Sequence, residues 1–459
     1  MGPFLLHLRR TISTMTSWYR RVLVLAIPLI LSNLTQPLLS TVDTVLSGHL
    51  PGAAALGGVA MGGIFFNSVF WTFGFLRMGT TGLVAQAFGA GNEENLRLHF
   101  LRALFTAFAI GALILLVRAP LIAFSIHLLG ASDAVARNAD LYCRIRIWSA
   151  PAALANFVIL GDLLGRQRAR TALALQAAIN VVNVAVALEL VVHLHWDVAG
   201  IATATLCADI AGFLVGLMLT RIALPAATHL KPLHWRALLD GPSLRHLFSL
   251  NRDIFLRTLS LVAAYAWFTR TGARTGDATL AANAVLMNLH LIASYALDGF
   301  ANATEALVGA AVGSRREDDY RAVLRASTVL AFAVSIAASL IYLVFGIHLV
   351  KLFTNQSSVL PLAIRYLPWA IVLPVISVWG YQMDGVFIGA TRGRELRNCM
   401  MLAFAGFLVS AILLERVLGN HGLWLAFCIF MIFRGTLLGA YLPRIRRALF
   451  GAETAPASA

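Results

Sequence analysis

Apolar runs of about twenty residues or more, divided by short charged or Gly/Pro-containing breaks, recur from residue 22 to residue 443. A helix that crosses a bilayer needs ~20 apolar residues, and only helices and closed barrels can satisfy their backbone polar groups in hydrocarbon. Continuous apolar stretches of this length predict helices. Twelve spans are expected, at 22–47, 56–80, 97–117, 138–163, 171–193, 198–221, 253–273, 278–306, 322–346, 362–388, 398–418 and 421–443. The expected fold is all-α, a polytopic membrane protein.

The pattern repeats. Shifted by 224 residues, Leu83, Val84, Ala87, Gly89, Glu93 and Arg97 fall on Leu307, Val308, Ala311, Gly313, Glu317 and Arg321. The same shift carries Gly161, Gly165, Arg168 and Arg170 onto Gly385, Gly389, Arg392 and Arg394. The expected organisation is a leader at 1–21, a six-helix N-lobe at 22–222, a linker at 223–250, a six-helix C-lobe at 251–443 and a tail at 444–459. Parallel repeats with a site near the midplane are a transporter plan.

Composition agrees with the pattern: 59% of residues are hydrophobic and 12% charged, against about 25% charged in a soluble domain. The net charge of +15 does not point to nucleic acid, because the charges occupy the short breaks between spans. Of the 36 Lys and Arg residues, 25 lie on the side of the two termini, seven on the opposite side and four inside spans. The positive-inside rule then places both termini in the cytoplasm of a bacterial inner membrane. The four cysteines show no CxxC or metal-ligand spacing, and thiols in apolar runs read as packing.

Several segments, taken in order, identify a family. TVDTVLSGHL (41–50), TTGLVAQAFGAGN (80–92), RIWSAP (146–151), NVVN (180–183), YALDGF (295–300) and MDGVFIGATRGRE (383–395) resemble MATE exporters, the DinF branch above all. The resemblance covers about 20–450 and implies two V-shaped six-helix lobes with alternating access. It also implies export of amphipathic, often cationic compounds against inward proton or sodium flow.

Ionisable and polar groups inside spans are costly and mark candidate sites. In span 1, Asn33, Gln36, Ser40, Asp43 and Ser47 fall within an arc of about 80° at ~100° per residue. Asp43 is the only acid of that stripe and the candidate proton-coupling residue; the bland reading is a capping or inter-helix Asp. Pro28 and Pro37 in the same helix free the carbonyls of Val24 and Asn33 and make a candidate hinge. Span 5 carries Gln176, Asn180 and Asn183, and then Ala187 where the family often has an acid. Glu189, two residues further, points away from that face. Thr205 matches a family site position in span 6, and Asp209 lies one turn further on. In the other half, Asp298 and Asn302 with Ser294 and Glu305 form a stripe, and Asp384 sits mid-span near Tyr381 and Ser377. These acids read equally as ligands or as members of an arginine network.

Span 7 holds no acid between 258 and 272, where the sodium-coupled NorM-like branch places one. Sodium needs several hard oxygen ligands and a proton only one tunable carboxyl, so a proton gradient is favoured over sodium, with no cofactor and no metal. Arg77, Arg146 and Arg434 cannot face lipid; Arg77 is expected to snorkel. No HExxH, GxSxG or Walker motif appears, which argues against an enzyme and against ATP as the energy source. The expected protein is a monomeric, proton-driven multidrug exporter with amphipathic, cationic substrates, the lipid bilayer as its surroundings and no nucleic-acid partner. A sodium-coupled exporter and a flippase for lipid-linked precursors are the alternatives. The flippase would want a strongly cationic cavity, whereas the stripes here are acidic or neutral.

Overall fold

A computed structural model describes residues 2–50, 53–130, 132–223 and 235–451, with backbone alone at 2–16, 36–40, 128–129, 221–223 and 235. The described residues are helical almost throughout and contain no strand. In the first half, α1 (Gly2–Gly48), α2 (Ala53–Thr72), α3 (Phe75–Gly89), α4 (Glu93–Leu116), α5 (Arg118–Leu129), α6 (Asp133–Arg146), α7 (Ala150–Gly165), α8 (Ala169–Leu188) and α9 (Asp197–Ala223) follow in order. After a short α10 (Trp235–Leu238) come α11 (Gly241–Arg274), α12 (Asp277–Gly313), α13 (Glu317–Phe353), α14 (Leu360–Gly389), α15 (Gly393–Leu418) and α16 (Asn420–Phe450). Ten described helical stretches are long and apolar enough to cross a membrane. Helices α1 and α11 occupy the places of the other two expected spans.

Three differences from the sequence pattern have local causes. Span 2 is broken at Phe73–Gly74, where short turn bonds (Phe73 N to Phe70 O, 3.0 Å; Gly74 N to Trp71 O, 3.1 Å) replace the helical ladder. The helix then continues to Gly89, past the expected end at 80. Span 4 passes through a 3₁₀ turn at Ile147–Ser149. Pro151 has no N–H to give the Ile147 carbonyl, which instead accepts from Ala150. Finally, 118–129 had no expected element and forms α5, ended by Gly130 in the left-handed region at φ 62°.

Two compact units make up the chain. The N-terminal unit comprises Leu31–Val84 and Asn92–Phe248; the C-terminal unit comprises Met1–Ile30, Ala85–Gly91 and Ser249–Ala459. The boundary in α1 thus falls between Pro28 and Pro37. In the N-terminal unit, Arg102 on α4 donates to the carbonyls of Ala237 (2.5 Å) and Leu238 (3.1 Å), which fastens α10. Within the C-terminal unit, Phe268, Phe407, Trp424, Phe427 and Phe430 build an aromatic core. Beside it Asn283 and Asn420 exchange amide hydrogen bonds of 2.8 and 2.9 Å, joining α12 to α16.

The 224-residue repeat reappears as contact geometry. In the N-terminal unit, Gly161 packs on the Arg77 carbonyl and Gly165 on that of Thr81. Their counterparts in the C-terminal unit, Gly385 and Gly389, pack on the carbonyls of Ala301 and Glu305, which stand 224 residues after Arg77 and Thr81. Small residues four apart let helix backbones approach closely, as membrane helices require. A side chain at Gly385 would press on backbone that cannot yield. Gly385→Leu is therefore expected to cost more than about 3 kcal/mol and to lower the unfolding temperature sharply in detergent. Gly63→Ala, with open space around its Cβ position, should be near neutral; equal unfolding temperatures for the two variants would refute the close-packing assignment.

Candidate functional site

The polar stripe of α1 belongs to the N-terminal unit. Asp43 is half-buried, and its Oδ1 accepts no hydrogen bond among the described residues. Arg146, in the last turn of α6, interacts electrostatically with both Asp43 and Asp209 of α9. Its guanidinium stacks on the Phe66 ring at 4.7 Å and donates 2.7 Å to the Tyr142 hydroxyl. Among the described residues it forms no close ion pair with either carboxylate. Arg144, two residues earlier, is exposed and pairs with Asp140 at 2.5 Å. Of the two arginines in this segment, Arg146 is the inward one.

The other expected residues take separate places. Asn183 donates to Thr205 at 3.0 Å, joining α8 to α9. Asn180 reaches the Thr35 carbonyl of α1 at 3.5 Å, and Gln176 donates 3.3 Å to Asn180. Asn180 and Thr205 thus hydrogen-bond to other partners than Asp43, and Arg146 and Tyr142 interact electrostatically with it. Asn33 is half-buried and partnered; Pro28 is buried. The side chains of Gln36, Pro37 and Ser40 lie outside the described residues. Ala187 is fully buried and Glu189 exposed, as the helical phase requires. Glu189 also opens a π-helical turn to His193, in which Leu194 N donates to Glu189 O at 3.1 Å. Asp43 is the only acid of its stripe on α1, and Asp209, one turn beyond Thr205 on α9, interacts electrostatically with the same guanidinium.

The C-terminal unit holds a second buried cluster. Asp384 on α14 forms ion pairs with Arg257 of α11 and Arg434 of α16 through the same Oδ2, and all three side chains are at least 94% buried. Arg434 also lies 4.6 Å over the Tyr381 ring. Tyr381 donates to Ser294 at 2.7 Å, and the buried His290 lies one turn before Ser294 on α12. Asp298, half-buried, acts electrostatically on Tyr381 and Tyr265. Asn302 and Glu305 are buried and partnered. Arg257 and His290 were missed from sequence. The signal existed: Arg257 falls inside span 7 and needs a counter-charge, and His290, Ser294, Asp298 and Asn302 recur every fourth residue. Among the described residues no group of three or more His, Cys, Asp or Glu could hold a metal ion.

Comparison with known proteins agrees with this arrangement. A profile of the MatE family matches twice, at residues 28–188 and 254–415, once in each half of the repeat. The chain is 43% identical to DNA damage-inducible protein F of Escherichia coli, over 91% of this chain and 90% of that one. It is 26% identical to a probable multidrug resistance protein NorM of Bradyrhizobium diazoefficiens, over 93% of each. Among solved structures, a MOP superfamily transporter from Pyrococcus furiosus superposes with TM-score 0.82 at 19% identity, covering 94% of this chain and 96% of that one. An outward-facing multidrug resistance MATE transporter gives TM-score 0.83 at 19% identity, covering 95% and 97%. The fold is the twelve-helix MATE fold, and the chain belongs to the MATE family, whose members are membrane transporters and not enzymes.

Proposed function

We propose that this protein exports amphipathic, cationic toxic compounds across a bacterial inner membrane in exchange for inward-moving protons, by alternating access. The observation that carries the reading is the Asp43 carboxyl, set half-buried among apolar spans with an oxygen that no described donor satisfies. A carboxyl so placed takes up and gives up a proton without first breaking a strong ion pair. Asp43 is then the coupling residue, and Pro28 with Pro37 supplies the flexible part of α1. Asn33, Gln176, Asn180, Asn183, Thr205 and Asp209 form the polar lining of the same unit. The C-lobe acid Asp384 serves structure, since it already holds two arginines.

The experiment is dye efflux in inverted membrane vesicles. Efflux should collapse on adding a proton ionophore and be indifferent to sodium; sodium dependence with no ionophore response rejects proton coupling. The orientation follows from the Lys/Arg asymmetry. Thiol labelling at introduced cysteines should report cytoplasm at positions 168 and 395 and periplasm at 195. A periplasmic signal at 168 inverts the topology.

A further inference from the structure

The cluster around Arg146 contains one fixed positive charge and two carboxylates, drawn from three elements of one unit. We propose that Arg146 is the resident counter-ion of this site and sets the charge of what the site accepts: with Asp43 and Asp209 ionised it carries one net negative charge and takes one positive charge at a time. The inference rests on the exporter reading above and adds the residues that determine substrate charge.

Position makes Arg146 the shared group. It interacts electrostatically with Tyr142, Asp209 and Asp43. It is held off both carboxylates by a 2.7 Å hydrogen bond to the Tyr142 hydroxyl and by stacking on Phe66 at 4.7 Å. Among the described residues its Nε is buried without a hydrogen-bond partner, as is Asp43 Oδ1. Helix α6 also carries Asp133, Arg137, Cys143 and the Asp140–Arg144 ion pair, whose two charges cancel. Helix α2 has no ionisable side chain and α8 only Arg170, at its start. Helix α9 adds Asp197 at its start and α5 adds Arg118, which stacks on Trp148; the groups that act on Arg146 remain Tyr142, Asp209 and Asp43. A guanidinium fixed in this way cannot leave, so the remaining unit of negative charge is open to a proton on Asp43 or to a cationic group of the cargo. Seating the cargo cation releases the Asp43 proton to water, and reprotonation expels the cargo. Exchange then follows from competition for one charge.

The test is equilibrium binding of ethidium, with one positive charge, and propidium, with two, to the purified full-length protein in detergent at fixed pH. Wild type should prefer ethidium. Asp209→Asn brings the site to zero net charge and should weaken ethidium binding by about tenfold or more. Arg146→Gln brings it to two negative charges and should reverse the preference toward propidium. The double variant Asp209→Asn/Arg146→Gln restores the single negative charge and should recover ethidium binding, which a merely misfolded Asp209→Asn could not do. Unchanged ethidium binding in Asp209→Asn overturns the proposal, as does a double variant no better than the single one. Binding needs no gradient. If the charge series holds while binding fails to release protons, the proton-coupling reading is what fails.

Discussion

Asp43→Asn abolishes uphill efflux of a cationic dye while leaving the protein in the membrane at normal amounts. The asparagine keeps the shape and hydrogen-bonding capacity of the carboxyl but cannot change charge. The transported proton then has no site on α1, the helix that carries both prolines. Each charge moved across the membrane contributes about 2.3 kcal/mol per 100 mV, roughly fifty-fold in accumulation. Loss of coupling should bring the dye ratio across inverted vesicles to that of vesicles without the protein. Counterflow, in which unlabelled dye inside drives labelled dye inward, needs no gradient and should be weakened about tenfold in Asp43→Asn, as in Asp209→Asn, because either change leaves the site without net negative charge. Wild-type uphill efflux in Asp43→Asn would move the coupling site elsewhere.

The stripe on α1, the halves of the repeat and the helical periodicity of twelve spans are first-order consequences of burying backbone in hydrocarbon, and all are legible in sequence. A polar stripe on an apolar helix must face protein, whatever its neighbours are. Which groups it faces is another matter. Arg146 and Asp209 stand 63 positions apart in the chain, and their meeting depends on how α6 and α9 pack around α1. The 3₁₀ turn at Ile147–Ser149 changes the phase of the segment between Arg146 and α7, which no fixed 100° periodicity anticipates. Asp384 shows the same limit. Its depth in span 10 required a counter-charge, but the choice of Arg257 and Arg434, 127 and 50 positions away, is a property of the packed unit. Arg257 stands near one end of its span, where side chains often snorkel, and so it reads from sequence as a surface charge.

That cluster carries the second large expectation, on stability. Asp384→Leu removes the only ion-pair partner that Arg257 and Arg434 have among the described residues, and both arginines are at least 94% buried. Breaking a buried pair by deleting one partner costs about 3–5 kcal/mol, because the remaining charge has lost both water and its counter-ion. Here two charges are left. Asp384→Leu should express poorly and unfold at a much lower temperature in detergent than wild type. The arginines are not equivalent to the acid. Arg257→Met leaves Asp384 paired one-to-one with Arg434, which keeps its contact with the Tyr381 ring, so its cost should be well below that of Asp384→Leu. Removing both arginines strands the carboxylate and should again be severe. Replacing all three with apolar side chains of similar volume removes every charge at once and should recover most of the lost stability. The order of unfolding temperatures is the check: the triple variant above Asp384→Leu, and Arg257→Met nearest wild type. An Asp384→Leu protein as stable as wild type would mean that the two guanidinium groups are hydrated inside the unit, and the cluster would then be a wet cavity instead of a dry strut.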